Sequence, residues 1–209
     1  REAVETSRRI LGPDHPDTLK ATENLANTYA RQGRQEDAER LYREALAGKQ
    51  RVFGPEHPET LRSMTQLANT CLAQGRNPEA EELYRQTLEA DRRVLGADHP
   101  DTLRAMLSLA NAYSAEKRYA EADALFGEGL AISRRVLGDD HPDTLQTIYN
   151  MGCIAFLRGD RSAALRQLRE AVTRGFGTPD VLRKDADLAP LRGDPEFEAI
   201  VTLAAKNAG

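Results

Sequence analysis

Several features that would place this chain in a particular class are missing. Nowhere do 18 apolar residues follow one another, so no membrane-spanning helix is predicted. The start shows no basic, apolar and small-residue succession of a secretory signal. Lysine and arginine do not outnumber the acids: the net charge is −4, which predicts no non-specific binding to nucleic acid. Only two cysteines occur, Cys71 and Cys153. Both fall on predicted helices two repeats apart, which predicts packed, reduced thiols and a cytoplasmic protein. No glycine loop is patterned to cradle phosphate, and no serine, histidine and aspartate are grouped for nucleophilic catalysis. Acid pairs such as Glu81-Glu82 read as a solvated helix face. No enzymatic activity, cofactor or metal is therefore predicted.

What the chain does have is an eight-residue phrase written four times. Gly12-Pro13-Asp14-His15-Pro16-Asp17-Thr18-Leu19 returns at Gly54–Leu61, Gly96–Leu103 and Gly138–Leu145, with a constant step of 42 residues. A fixed period of this size marks stacked units, each burying its apolar face against the next. The phrase reads as a helix stop followed by a helix start. Gly12, Gly54, Gly96 and Gly138 suit a left-handed C-cap. Asp14, Glu56, Asp98 and Asp140 are the predicted N-caps. Pro16, Pro58, Pro100 and Pro142 fit the first turn.

All four histidines, His15, His57, His99 and His141, sit in the phrase. Equivalent residues of stacked helices lie roughly 8–10 Å apart, whereas the ligands of one zinc all lie about 2 Å from it. They are therefore expected to pack the corner of each repeat rather than hold a metal.

Between phrases the apolar spacing is helical. Leu19, Thr22, Leu25, Ala26 and Tyr29 line a first helix, and Ala38, Leu41, Tyr42, Ala45 and Leu46 a second. Alanines recur at Ala26/Ala68/Ala110 and Ala38/Ala80/Ala122, where the two helices of a hairpin would approach closely. Residues 1–11 align without gaps on 43–53, so the sequence is expected to enter partway through the second helix of an earlier repeat, as a fragment of something longer. Repeat four is irregular: Met151-Gly152 stand for Leu-Ala, Ala155 for tyrosine and Gln167 for leucine. Beyond Gly175-Phe176-Gly177 two short helical turns are predicted, then a helix capped by Asp194 whose buried face holds Phe197, Ile200, Val201 and Ala204.

The spacing Leu-Ala-x-x-Tyr, then Gly, then Ala-x-x-x-Tyr-x-x-Ala-Leu resembles the tetratricopeptide repeat. The 42-residue period with its Leu-Gly-x-Asp-His-Pro linker is similar to the repeats of kinesin light chains and their bacterial relatives. The resemblance implies an all-α fold, a right-handed α-solenoid of helix hairpins with a C-terminal helical cap. Its expected parts are 1–12, the second helix of a preceding repeat; 13–54, 55–96 and 97–138, three regular repeats; 139–176, the irregular fourth; and 177–209, the capping helices.

The resemblance also implies a non-catalytic scaffold whose first helices line a concave groove for a peptide or a partner helix. The groove residues expected on that basis are Lys20, Asn24 and Asn27 in repeat one, Arg62, Gln66 and Asn69 in repeat two, Arg104, Ser108 and Asn111 in repeat three, and Tyr149 and Asn150 in repeat four. Lys20, Arg62 and Arg104 form a basic ladder suited to an acidic side chain or a C-terminal carboxylate. Asn27, Asn69 and Asn111 form an amide ladder suited to an extended backbone. Of the two adjacent asparagines that kinesin light chains place before Leu-Ala, Asn24 and Asn150 match only the second. The alternative is a regulatory C-terminal segment of a larger bacterial signalling enzyme such as a Ser/Thr kinase. Self-association through a repeat edge is a third expectation.

Overall fold

The computed structural model describes residues 2–207; Arg1, Ala208 and Gly209, at the outer ends of the predicted first and last segments, lie outside the described residues. Among those described there are eleven α-helices, one 3₁₀ turn and no strand. The fold is all-α and built from consecutive helix hairpins. The chain divides into two compact units, Arg1–Ala112 and Tyr113–Gly209.

The first unit contains α1 (Glu2–Leu11), α2 (Pro16–Arg31), α3 (Gln35–Phe53), α4 (Pro58–Ala73), α5 (Asn77–Val94) and most of α6 (Pro100–Ala115). Each of α1 to α4 packs on the helix that follows it. The hairpins close tightly because the contact positions carry almost no side chain: Ala26, Ala38, Ala68 and Ala80 are all fully buried. At Gly48 the approach is closer still, since a Cβ there would stand 2.4 Å from Leu19 Cδ2.

The repeated phrase works differently from its sequence expectation. The N-cap is the histidine. His15, His57, His99 and His141 each accept at Nδ1 a hydrogen bond of 3.1–3.2 Å from the backbone N–H two residues on. An imidazole nitrogen does here what a carboxylate does in a common cap. The acids are displaced to another task. Asp14 pairs with Arg51 at 2.6 Å and Asp140 with Arg174 at 2.8 Å, and Glu56 bonds Arg93, which ties each loop to the far end of its own hairpin. The phrase glycine also departs from a left-handed helical cap. Gly54 has φ 92° and ψ 164°, an extended region open essentially to glycine alone.

Between α3 and α5 four charges interlock. Arg76 Nη1 lies 2.7 Å from both oxygens of Glu39, Arg43 bonds Glu39 at 2.9 Å and Glu79 at 2.5 Å, and Arg76 also reaches Glu79. The Arg76 hydrogen bond holds the Glu39 carboxyl down at about 2. In the first and third repeats the corresponding loop arginine stacks on an aromatic ring instead, Arg34 on Tyr29 at 4.0 Å and Arg118 on Tyr113 at 4.1 Å. Cys71 takes the ring's place in the second repeat.

The second unit carries α7 (Tyr119–Val136), α8 (Pro142–Leu157), α9 (Arg161–Thr173), α10 (Pro179–Lys184), the 3₁₀ turn Ala189–Leu191 and α11 (Pro195–Asn207). The irregularities of repeat four compensate one another. Leu168 stands where the other repeats have an aromatic ring, and Gly152, where they have alanine, lies under it: a Cβ there would be 3.0 Å from Leu168 Cγ. Asp194 caps α11, accepting at Oδ1 from the amides of Glu196 and Phe197 at 2.9 and 3.3 Å. Phe197, Ile200, Val201 and Ala204 are buried in one cluster with Leu168, Val172, Leu182 and Leu188. The last helices are thus a lid on α9.

Candidate functional site

With the packing positions buried, the first unit is left with two adjoining polar hollows between α2 and α4. One, of about 610 Å³, is lined by Asn24, Asn27, Thr28 and Arg31 of α2, Gln66, Asn69 and Thr70 of α4, and Tyr42 of α3. The other, of about 420 Å³, is lined by Asp17, Lys20, Glu23, Asn24 and Asn27 of α2, Glu59, Arg62 and Gln66 of α4, and Lys49 and Phe53 of α3. Asn24, Asn27 and Gln66 belong to both. Six of the expected groove residues, Lys20, Asn24, Asn27, Arg62, Gln66 and Asn69, therefore meet on one face. Helical spacing puts them there: they occupy the α2 and α4 positions left over when the Leu-Ala stripe turns inward.

The asparagines are not bare. Tyr42 O–H donates to Asn27 Oδ1, and Tyr84 O–H donates to Asn69 Oδ1. Each tyrosine belongs to the second helix of the same hairpin, so it fixes the amide and leaves the Nδ2 hydrogens as what the asparagine has to offer a ligand. Asn69 Nδ2 also lies 3.4 Å from Gln66 Oε1. Arg62 is exposed and bonds Glu59 one turn before it. Lys20 is exposed and makes no ion pair among the described residues.

Beneath these residues lies a charged network that the sequence reading missed. Lys49 is only 4% exposed. Its ammonium donates to Glu23 Oε2 at 2.7 Å, to the Glu59 carbonyl at 3.2 Å and to Glu59 Oε2 at 3.3 Å. Ser63 Oγ donates to the other oxygen of Glu23 and lies 3.0 Å from the Glu59 carbonyl. The signal was present: Lys49 follows Ala38, Tyr42 and Ala45 at spacings of four, three and four, which puts a lysine on the inner stripe of α3.

The remaining expected residues are distributed elsewhere. Arg104, Ser108 and Asn111 lie on α6. Arg104 is exposed and paired with Asp101, and Ser108 is half-buried. Asn150 lies in the second unit, where it accepts from Gln146 Nε2 at 2.8 Å. Tyr149 departs from its expected role in a groove. It is 4% exposed, its hydroxyl donates to Asp185, and its ring packs against Phe176 with centroids 4.7 Å apart. The tail after α9 has covered it. Both cysteines are free and buried, and burial raises the pKa of both thiols. Among the described residues no cluster of three or more metal-binding side chains occurs, and no helix is long and apolar enough to cross a membrane.

A succession of helix hairpins closed at alanine contacts, with a polar face on α2 and α4, is the architecture of a helical repeat protein. The chain belongs to the tetratricopeptide repeat family, whose repeats mediate protein–protein interaction. One family model of that description matches residues 41–93, 64–134 and 106–174, and a second matches 1–17 and 18–59.

Solved structures give the resemblance at the level of fold. The nearly identical repeats of a kinesin light chain from Podosopora anserina are 25% identical, with a TM-score of 0.74, covering 93% of this chain and 96% of that one. A point variant of those repeats gives 26% and 0.74, covering 93% and 94%. BtubC (BKLC) from P. vanneervenii is 22% identical with a TM-score of 0.79, covering 99% of this chain and 87% of that one. No protein with a curated description matches.

Proposed function

We propose that the chain is a non-catalytic scaffold that holds an extended peptide, or a partner helix, along the face formed by α2 and α4. The observation that carries this reading is the meeting of Lys20, Asn24, Asn27, Arg62, Gln66 and Asn69 around two adjoining open hollows. Amides held in place by Tyr42 and Tyr84 suit the carbonyl acceptors of an extended backbone, because their N–H groups need no reordering on binding. Lys20 and Arg62 supply cations for an acidic side chain or a terminal carboxylate, Lys20 as a point charge and Arg62 as a planar fork. The similarity to kinesin light chain repeats supports an adaptor role.

The test is capture of partners from the source lysate by the parent chain and by a Lys20→Glu, Arg62→Glu double variant. Both side chains are exposed, so the melting temperature should fall by no more than a few degrees. A partner lost by the variant supports the reading. A partner retained unchanged places binding on another face. Capture of none by either form favours a segment that binds its own longer chain.

A further inference from the structure

The second unit has an open hollow of its own, of about 680 Å³, along the exposed face of α9. Ser162, Leu165, Arg166, Arg169 and Thr173 line it, joined by Glu196 of α11. Helix α3, three periods earlier, shows what is unusual about this face. Its Arg40 is answered by Asp37 at 3.6 Å, and its Arg43 by Glu39 at 2.9 Å and by Glu79 of α5 at 2.5 Å. Helix α9 keeps both arginines, as Arg166 and Arg169, but has Ala163 in place of Asp37 and Leu165 in place of Glu39. Arg166 and Arg169 are exposed and make no ion pair among the described residues. The other two arginines of the hollow are engaged, Arg161 with Asp194 at 2.7 Å and Arg174 with Asp140 at 2.8 Å. Its two acids are engaged as well, Glu196 with Arg161 at 3.1 Å and Glu170 with Arg134 at 2.6 Å. In a chain of net charge −4, this hollow keeps two guanidiniums whose former partners have been replaced by apolar residues.

We infer that this face of α9 is a second protein-binding surface and that it receives an acidic helix of a partner, whose carboxylates supply what Asp37 and Glu39 supply within α3. Arginines three apart on a helix have Cβ atoms about 5–6 Å apart, the same step as acids three or four apart on a helix laid against them. The hollow runs from Ser162 to Thr173, about 16 Å along the axis, which accommodates roughly three turns of such a helix. Guanidinium suits carboxylate because its planar fork can bind both oxygens, and Leu165 at the base offers an apolar contact between the charges. A nucleic acid is poorly matched, since the lining has no aromatic ring to stack a base and the chain as a whole is negative.

The probe is an alanine-based helical peptide of about fifteen residues with two glutamates one turn apart and a leucine between them. Its counterpart has glutamine at both places. Each is titrated into the isotope-labelled chain at low salt, and the Nε–H signals of Arg166 and Arg169 are followed by NMR. The glutamate peptide should give saturable shifts at both arginines and bind about tenfold more tightly than the glutamine peptide, with the difference shrinking as salt rises. An Arg166→Gln, Arg169→Gln variant should bind the two peptides equally. Both side chains are exposed, so its melting temperature should stay within a few degrees of the parent's. An Arg166→Glu, Arg169→Glu variant should instead prefer a peptide with lysine at the two places. Absence of saturable shifts at the two arginines, or a preference for glutamate that survives their replacement by glutamine, overturns the proposal. So does a glutamate peptide that shifts only Lys20 and Arg62, which would assign the acid preference to α2 and α4. The two faces share no residue, so the loss of either reading leaves the other standing.

Discussion

At the scale of single residues, Asp91 links stability to pH in an unusual direction. Its carboxyl titrates near 6 in the folded chain against an ordinary 3.8, because burial and Asp101 both disfavour its charge. The folded state thus holds more protons than the unfolded one between those values, and stability declines as pH rises through that window. Asp91→Asn removes the penalty. The variant should match the parent near pH 3.5 and exceed it at pH 7 by up to about 3 kcal/mol, measured by urea unfolding at both values. A gain that is the same at both pH values would contradict the assignment. Ala68 makes the opposite kind of test. It is fully buried at a helix contact, so Ala68→Leu should overpack the hairpin and cost about 1–3 kcal/mol. A variant that melted like its parent would mean that α4 and α5 do not meet there.

At the scale of elements, the helix ends carry distinct roles. Each histidine cap satisfies one amide, and replacing His57 by alanine should cost about 1 kcal/mol in thermal unfolding. Exchange for asparagine, an established cap, should recover most of it. The α3–α5 clamp has its own pH window. Glu39 is depressed from 4.5 to about 2 by Arg76, so its contribution is present above 4.5 and lost as pH falls toward 2. Acid titration of Glu39→Gln against the parent should show the two converging over that range. Parallel curves throughout would remove the clamp from the stability argument.

The element boundaries were readable in the sequence because glycine, proline and the apolar stripe repeat in fixed register: Pro16, Gly33 and Asp194 stand at or beside the ends they announced. The division of labour at the caps was not readable. Aspartate and histidine are adjacent in the phrase, and only the geometry of the loop decides which reaches the amide and which reaches the arginine. Tyr149 was misread for a related reason, since a tail of more than twenty residues folds back over it. Lys49 lay in plain view on an inner stripe, but its partners come from two different helices. Lys20, Asn24 and Gln66 were legible because an exposed residue on a strongly patterned helix needs no partner to be placed.

At the scale of the whole molecule, two buried thiols report on two compact units. Cys71 lies in the first and Cys153 in the second. Both are shielded, and burial disfavours both thiolates, so a thiol reagent should modify neither under native conditions. Labelling during a urea titration, followed by mass spectrometry of the two peptides, would give each unit its own opening curve. Modification of either cysteine in native buffer at the rate of a free thiol would contradict the packing described for it.

Lys49 and the residue one period on, Asp91, also bear on how similar modules find their proper order. A chain of similar hairpins invites pairing with the wrong neighbour, because the regular repeats share alanine at the same contact positions. If α5 took the place of α3, Asp91 would confront Glu23 and Glu59, three carboxylates in a crevice with no lysine to part them. Such a mispairing would leave those buried carboxylates uncompensated and should be disfavoured on that ground. A Lys49→Asp chain, deprived of that lysine, should refold in lower yield than one carrying Lys49→Met, which is measurable by size-exclusion chromatography after dilution from denaturant.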